Sequence, residues 1–160
     1  MTGVQTCALP IYEFVEIRNA SAAAVDASGW GLGSEVGFAF PNGTTLAAGE
    51  RVIIAADVAT FNANYDVPGG TRVFGPWTGV LGNSGAKLEL ILPGAIVTTQ
   101  GPDFGYVPQI LAEKIVYRDA TPWPSAADGN GSSLQRVSDA AYANDVVNWT
   151  ASAPSPGAAA

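Results

Sequence analysis

Short apolar runs alternate with polar residues along this chain, and Gly, Pro, Asn or Asp breaks each run at intervals of roughly 8–12 residues. That pattern commits the chain to β-structure. A strand points successive side chains to opposite faces, so alternation makes one face apolar. Glu13-Phe14-Val15-Glu16-Ile17-Arg18 is such a run, with Val15 and Ile17 on one face. Val36 to Phe40 is a second, stopped by Pro41-Asn42-Gly43-Thr44, where Asn-Gly suits a turn that needs positive φ. Arg51 to Ala55 follows the turn at Ala48-Gly49-Glu50, and Thr71 to Phe74 is a weaker run. Lys87–Leu92 and Ala95–Thr99 flank Pro93-Gly94 and are expected to form a tight hairpin. Glu113–Arg118 and Ser133–Val137 complete the set. The expected fold class is all-β, an antiparallel sandwich or barrel with a core of Val15, Ile17, Trp30, Phe38, Phe40, Leu88, Leu90, Val116, Leu134 and Trp149. Only Val58–Tyr65 reads as helical, with Phe61 and Tyr65 four apart, and it is expected as a single turn across one end of the sandwich.

The first eleven residues do not share this pattern. Met-Thr-Gly-Val-Gln-Thr-Cys-Ala-Leu-Pro-Ile resembles the translation of a sequencing-adapter oligonucleotide whose GTG start is read as Met, so residues 1–11 are read as a non-native segment. It has no Lys or Arg ahead of its apolar residues, so it lacks the basic start of a signal peptide. The domain is expected over residues 12–153. Residues 154–160, Pro/Ala/Gly-rich, are expected to begin a linker.

Composition narrows the chemistry. The chain has no His, and its one Cys, Cys7, lies in the adapter-like segment. Ser–His–Asp and Cys–His nucleophile systems and the usual zinc sites are therefore excluded. A paired-carboxylate mechanism remains formally open, yet Glu13 and Glu16 fall on opposite faces of one strand. Asp119 and Asp128 bracket one loop and are the best remaining pair, but intrinsic catalysis is not expected. Fourteen acidic against seven basic residues give a net charge of −7, so phosphate backbones are repelled and no nucleic-acid partner is expected. No apolar run approaches the ~20 residues of a membrane span.

The loop 119–133 is the strongest site candidate. Asp119, Asp128 and Asn130, with the Ser132 and Ser133 hydroxyls, offer hard oxygens of the kind Ca²⁺ accepts. The loop lacks the spaced acidic series of an EF-hand, and Asx turns with glycines shape long connections equally well. Trp123 between two prolines, with Trp77 and Tyr106 in loop contexts, either forms an aromatic platform for a sugar or partner or caps the open end of the sandwich. Sequons begin at Asn19, Asn42, Asn130 and Asn148, where Asn, Ser and Thr are also turn formers.

Several segments together resemble the lamin-tail domain. Glu13–Asn19 followed by Val25-Asp26-Ala27-Ser28-Gly29-Trp30 is similar to its opening, and Phe38–Leu46 with Ala48-Gly49-Glu50 to its next strand, turn and hairpin. Trp77-Thr78-Gly79 and Leu81-Gly82-Asn83-Ser84-Gly85 resemble its middle loop. Val116-Tyr117-Arg118-Asp119, Pro122-Trp123-Pro124, Ala127-Asp128-Gly129, Ser133-Leu134-Gln135-Arg136 and Asn148-Trp149 then follow in the family's order. The resemblance implies an immunoglobulin-like sandwich within a larger secreted or cell-surface bacterial protein. It further implies a non-catalytic binding or spacer module whose partners are neighbouring domains, or a surface glycan or protein. No cofactor is expected apart from the Ca²⁺ alternative. The family places a strand ahead of Glu13–Arg18, where this chain carries the adapter-like segment. That strand's place should be left as an unpaired edge, or residues 4–9 should be drafted into it.

Overall fold

The computed structural model describes residues 3–5, 12–127 and 131–158. In chain order its elements are β1 (Gly3–Gln5), β2 (Phe14–Arg18), β3 (Val25–Asp26), β4 (Gly31–Ser34), β5 (Val36–Ala39), β6 (Thr45–Leu46), β7 (Arg51–Ala55), α1 (Val58–Asn64), β8 (Arg72–Phe74), β9 (Thr78–Gly79), β10 (Gly85–Pro93), β11 (Gln109–Arg118), β12 (Ser133–Arg136) and β13 (Trp149–Ser152). Two sheets face each other. One runs β13-β12-β1-β2-β7-β8, the other β11-β10-β4-β5-β9, and β3 pairs with β6 beside them. Among the described residues every pairing is antiparallel except β7 with β8, whose parallel register needs a crossover. α1 supplies it, and Asp57 caps the helix by accepting from the Thr60 N–H.

Alternation along β2 and β7 explains the two cores. Val15 and Ile17 pair in register with Ile54 and Val52, and all four face the second sheet. Leu32, Val36, Phe40, Leu88, Leu90, Ile115, Leu134 and Trp149 close that core from the other elements. Phe14, Ile53 and Ala55 point the opposite way and are covered by Phe61 of α1, with Tyr65 alongside. The Phe14 ring meets Phe61 and Tyr65 edge-on at 5.3 and 5.4 Å. The helix therefore lies on the outer face of the six-stranded sheet, not across an end of the sandwich. The apolar residues at 14, 53 and 55 require that cover.

Three of the expected core residues sit differently. Trp30 and Phe38 are half-buried and pack against the core from its rim, Phe38 with its ring 5.1 Å from that of Phe40. Val116 faces out. Ile115, Val116 and Tyr117 are consecutive apolar residues, so alternation alone cannot choose the inward face. Pairing Leu88 with Ile115 and Ala86 with Tyr117 makes that choice.

The expected hairpin at Pro93-Gly94 is not formed. β10 runs on to Pro93, pairs with β11, and the chain between them continues as a long arm. Across that arm the Gly94 N–H donates to the Pro108 carbonyl (2.7 Å) and the Val97 N–H to that of Tyr106 (2.8 Å). Strand β4, Gly-Leu-Gly-Ser, was not legible as a strand. It lies between β10 and β5, and a Cβ on Gly31 would stand 2.1 Å from the Phe38 carbonyl oxygen. Only glycine fits that approach.

The place ahead of β2 is filled. β1 lies between β12 and β2, with Gly3 in register with both Gln135 and Glu16. Residues 3–5 are thus drafted into the sheet and pair with β2 along Phe14–Glu16; Cys7 and Leu9 lie outside the described residues. The tail also departs from expectation. Instead of leaving as a linker it crosses the outer face of the same sheet as far as Ala158. Gln135 Nε2 donates to the Ala153 carbonyl (2.8 Å), the Gly157 N–H donates to Glu16 Oε2 (2.8 Å), and Pro156 is buried. Deleting residues 154–160 is expected to lower the unfolding free energy by about 1–2 kcal/mol, the worth of a charge-assisted hydrogen bond and one small apolar contact. Urea titration measures this, and a tail serving only as a linker would leave the midpoint unchanged.

Glu13 is the most deeply buried carboxylate among the described residues. Its side chain is 1% exposed, and Oε2 accepts from the Leu81 N–H (3.0 Å) while Oε1 has no hydrogen-bond partner. Burial raises its pKa to about 7, against the lowering effect of the Leu81 hydrogen bond. A carboxyl whose folded pKa lies above its unfolded value stabilises the fold while protonated. That contribution is lost as pH rises from about 4.5 through about 7. Asp26 and Asp57 have lowered values through hydrogen bonds from Ser28 and Thr60, so their contribution is lost only on acidification below the ordinary Asp range. Stability is therefore expected to fall between pH 5 and pH 8. Glu13→Gln should flatten that slope and raise stability at pH 8 by about 1–3 kcal/mol. Thermal melts of both proteins across the range test this, and an unchanged slope in the variant would count against Glu13 as its source.

Candidate functional site

Loop 119–133 is anchored by its aromatic residue. Trp123 is 8% exposed and belongs to the central core, its N–H donating to the Ala120 carbonyl (3.0 Å). The short 3-10 turn Ser125–Ala127 buries Ala127 against the same core. Trp77, the other tryptophan placed in a loop, is likewise buried. Both rings close the space between the sheets, so neither offers a flat exposed platform. Tyr106 is exposed on the arm between β10 and β11. Asp119 lies exposed past the end of β11, and Asp128 and Asn130 lie outside the described residues. Among the described residues no three metal-ligating side chains come together.

One edge of Trp123 nevertheless reaches a groove of about 390 Å³ lined by Val116, Pro122, Trp123, Tyr142, Asn144, Asp145 and Val146. The sequence reading placed Trp123 here but missed the opposite wall, residues 138–148. That wall is built by turns, with N–H donors on Ala141, Asp145 and Asn148 meeting the carbonyls of Ser138, Tyr142 and Asp145. Two side chains hold it in place: Trp149 Nε1 donates to the Ala143 carbonyl (2.7 Å) and Asn148 Nδ2 to that of Tyr142 (2.8 Å). Asn144 Oδ1 accepts from the Val116 N–H (2.7 Å), closing the lower edge of β11. Val116, out of the core, becomes groove floor. Tyr142 is 71% exposed and offers a ring at the rim, with the Asp145 carboxylate nearby. The only sequence signal for this wall was its density of Asp, Asn and Ser around Tyr142.

A second depression gathers Arg18, Arg51 and Arg136, three of the seven cations, beside Asp139, Gln135 and Thr150. The sequence scattered these arginines, whereas the fold brings them together. Each meets a carboxylate: Arg18 with Asp139, Arg51 with Glu16, and Arg136 with Glu113 of the facing sheet. The charges cancel pairwise, so the depression is a structural seam with little pull on an anion. The remaining strongly perturbed group, Tyr117, is held as a neutral phenol by burial and by the carboxylates of Glu13 and Glu35.

No helix among the described residues is long and apolar enough to cross a membrane. No curated protein and no solved structure matches the chain. The family model described as Lamin Tail Domain matches residues 2–101, a span that takes in β1 through β10 and much of the arm. Families of this description are immunoglobulin-like and generally non-enzymatic. With two facing sheets, tryptophans sealing the space between them and a family match over more than half its length, this chain belongs to the lamin tail domain family.

Proposed function

We propose that the chain is a non-catalytic binding module of a larger secreted or cell-surface bacterial protein, and that it binds through the groove between Tyr142 and Trp123. The observation that carries this reading is the make-up of that groove. It has an apolar floor of Val116, Pro122 and Trp123, one exposed aromatic ring, and an amide and a carboxylate at its rim. An apolar surface with a few placed polar groups is how proteins hold small neutral ligands. The size and the aromatic–carboxylate pairing suit a pyranose ring, whose flat C–H face packs on an aromatic ring while its hydroxyls bond to amide and carboxylate. A surface glycan is therefore the ligand class proposed. The turns behind Tyr142 are held by two side-chain hydrogen bonds, that of Trp149 buried, so little ordering cost accompanies binding. Calcium has no part in this reading, because Asp119 does not line the groove.

Trp123 borders the groove, so occupancy should change its fluorescence. Titration with a panel of neutral oligosaccharides is expected to give a saturable change that EDTA does not affect. Tyr142→Ala should weaken it about tenfold, the worth of one aromatic contact. No response to any glycan, or an equal response in Tyr142→Ala, would reject the glycan reading and leave the module as a spacer.

A further inference from the structure

β11 is an edge strand, the outermost of the five-stranded sheet, and its two halves are treated differently. The half from Glu113 to Arg118 is guarded. Its residues include Glu113, Lys114 and Arg118, Arg136 pairs with Glu113, and Asn144 caps the Val116 N–H. Charges and capping side chains are how proteins keep an open edge from pairing with another chain. The half from Gln109 to Ala112 has none of these. All four residues are exposed, Ile110 at 48% and Leu111 at 53%. Register with β10 slips between the two halves, leaving Ala112 as a bulge.

The arm that begins at this half is apolar in an acidic protein. Among the described residues nine large apolar or aromatic side chains are exposed, and Ile96, Phe104, Tyr106, Ile110 and Leu111 all lie on it. Residues 94–112 hold a single charge, Asp103, while the chain carries −7. Consecutive strand residues point to opposite faces, yet Ile110 and Leu111 are both exposed. The arm therefore stands clear of the opposing sheet on both sides. A partner surface laid flat against it would cover one face only. A strand paired along its edge adds neighbours to both faces at once.

We propose that two copies of this chain associate by antiparallel pairing of their Gln109–Ala112 edges, extending the five-stranded sheet across a two-fold axis. The occupant is a second copy for two reasons. About such an axis through Leu111, that residue lies opposite its own copy on one face and Ile110 lies opposite Ala112 of the other copy on the other face, so the patch is self-complementary. Elsewhere two chains of −7 charge repel each other, and the arm is where that repulsion is least. The exposed side chains present on the order of 500 Å² per copy, below the ~800 Å² per partner of a stable complex. The association is therefore weak and reversible.

Sedimentation equilibrium under reducing conditions, which keep Cys7 out of play, measures it directly. A monomer–dimer equilibrium in the high micromolar range is expected, tightening at least threefold from low to high salt as the like charges are screened. Ile110→Lys and Leu111→Glu should each weaken it at least tenfold, while Val80→Lys, an equally exposed site off the arm, leaves it unchanged. Circular dichroism checks that each variant folds. Hydrogen exchange at high and low concentration gives a second readout, with protection expected at the amides of 109–112. A mass that stays monomeric up to about 1 mM, beyond which an affinity is worth less than about 4 kcal/mol, would overturn the proposal. So would variants that associate like the parent, or dimerisation without protection at 109–112.

Discussion

Both faces of β2 are buried, and much of the remaining architecture answers that one constraint. A strand in a two-layer sandwich ordinarily keeps its outer face in water. Here Phe14 and Glu16 point outward and are nonetheless covered, 2% and 5% exposed, while Val15 and Ile17 fill the inner core. The outward face is half apolar and half charged, so it takes two covers. α1 lies over Phe14, Ile53 and Ala55; the C-terminal tail lies over Glu16, which also holds the Arg51 guanidinium and the Gly157 N–H. A buried carboxylate lacking such partners would cost several kcal/mol. The tail thus docks because Glu16 needs it, which makes residues 154–158 part of the fold.

The same tail bridges a short element of the sheet. Among the described residues β1 contributes three between β12 and β2, and these join the β13-β12 pair to the rest of its layer. The tail runs above it from Gln135 on β12 to Glu16 on β2, and Gly3 is the residue in register between those two. Between the layers, Arg136 on β12 reaches Glu113 on β11 at one rim, with Trp123 and Trp149 packed in the core. These ties fix the segment 138–148 and the groove it encloses. They also mark where protection of β11 ends, since Arg136 reaches no further along it than Glu113.

Much of this was legible because alternation is a local signal. The runs at Phe14–Arg18, Val36–Ala39, Arg51–Ala55 and Ser133–Arg136 fall where period two puts them. What was not legible was set by contact between distant residues. β4 is a strand because Gly31 lets β5 approach, a fact that Gly-Leu-Gly-Ser alone conceals. Val116 faces out because Leu88 claims Ile115, and β10 and β11 form a long arm because Gln109–Leu111 pairs with Ile91–Pro93 across Pro93-Gly94. At the groove, Trp123 was visible as an aromatic residue between prolines, but its partner Tyr142 lies nineteen positions away (142 minus 123) and is brought there by turns with no periodicity. Asn19 shows the same limit. As a sequon it suggests a surface; in the fold its amide is buried and donates to the carbonyls of Ala23, Leu46 and Ala47.

Charge placement separates the two surfaces proposed for binding. The groove carries Asp145 and no basic side chain lines it, so it favours neutral, hydroxyl-bearing ligands that bond to polar groups. The arm carries almost no charge and exposes side chains on both faces, so it favours another strand. The capped lower half of β11 lies between them, with Val116 forming groove floor and its N–H bonded to Asn144. Pairing at Gln109–Ala112 would therefore leave the groove open. A module that dimerises along one half of an edge strand and binds a repeating surface polymer beside the other would present two grooves at a fixed spacing. A second site brought near the first multiplies weak affinity without any new contact.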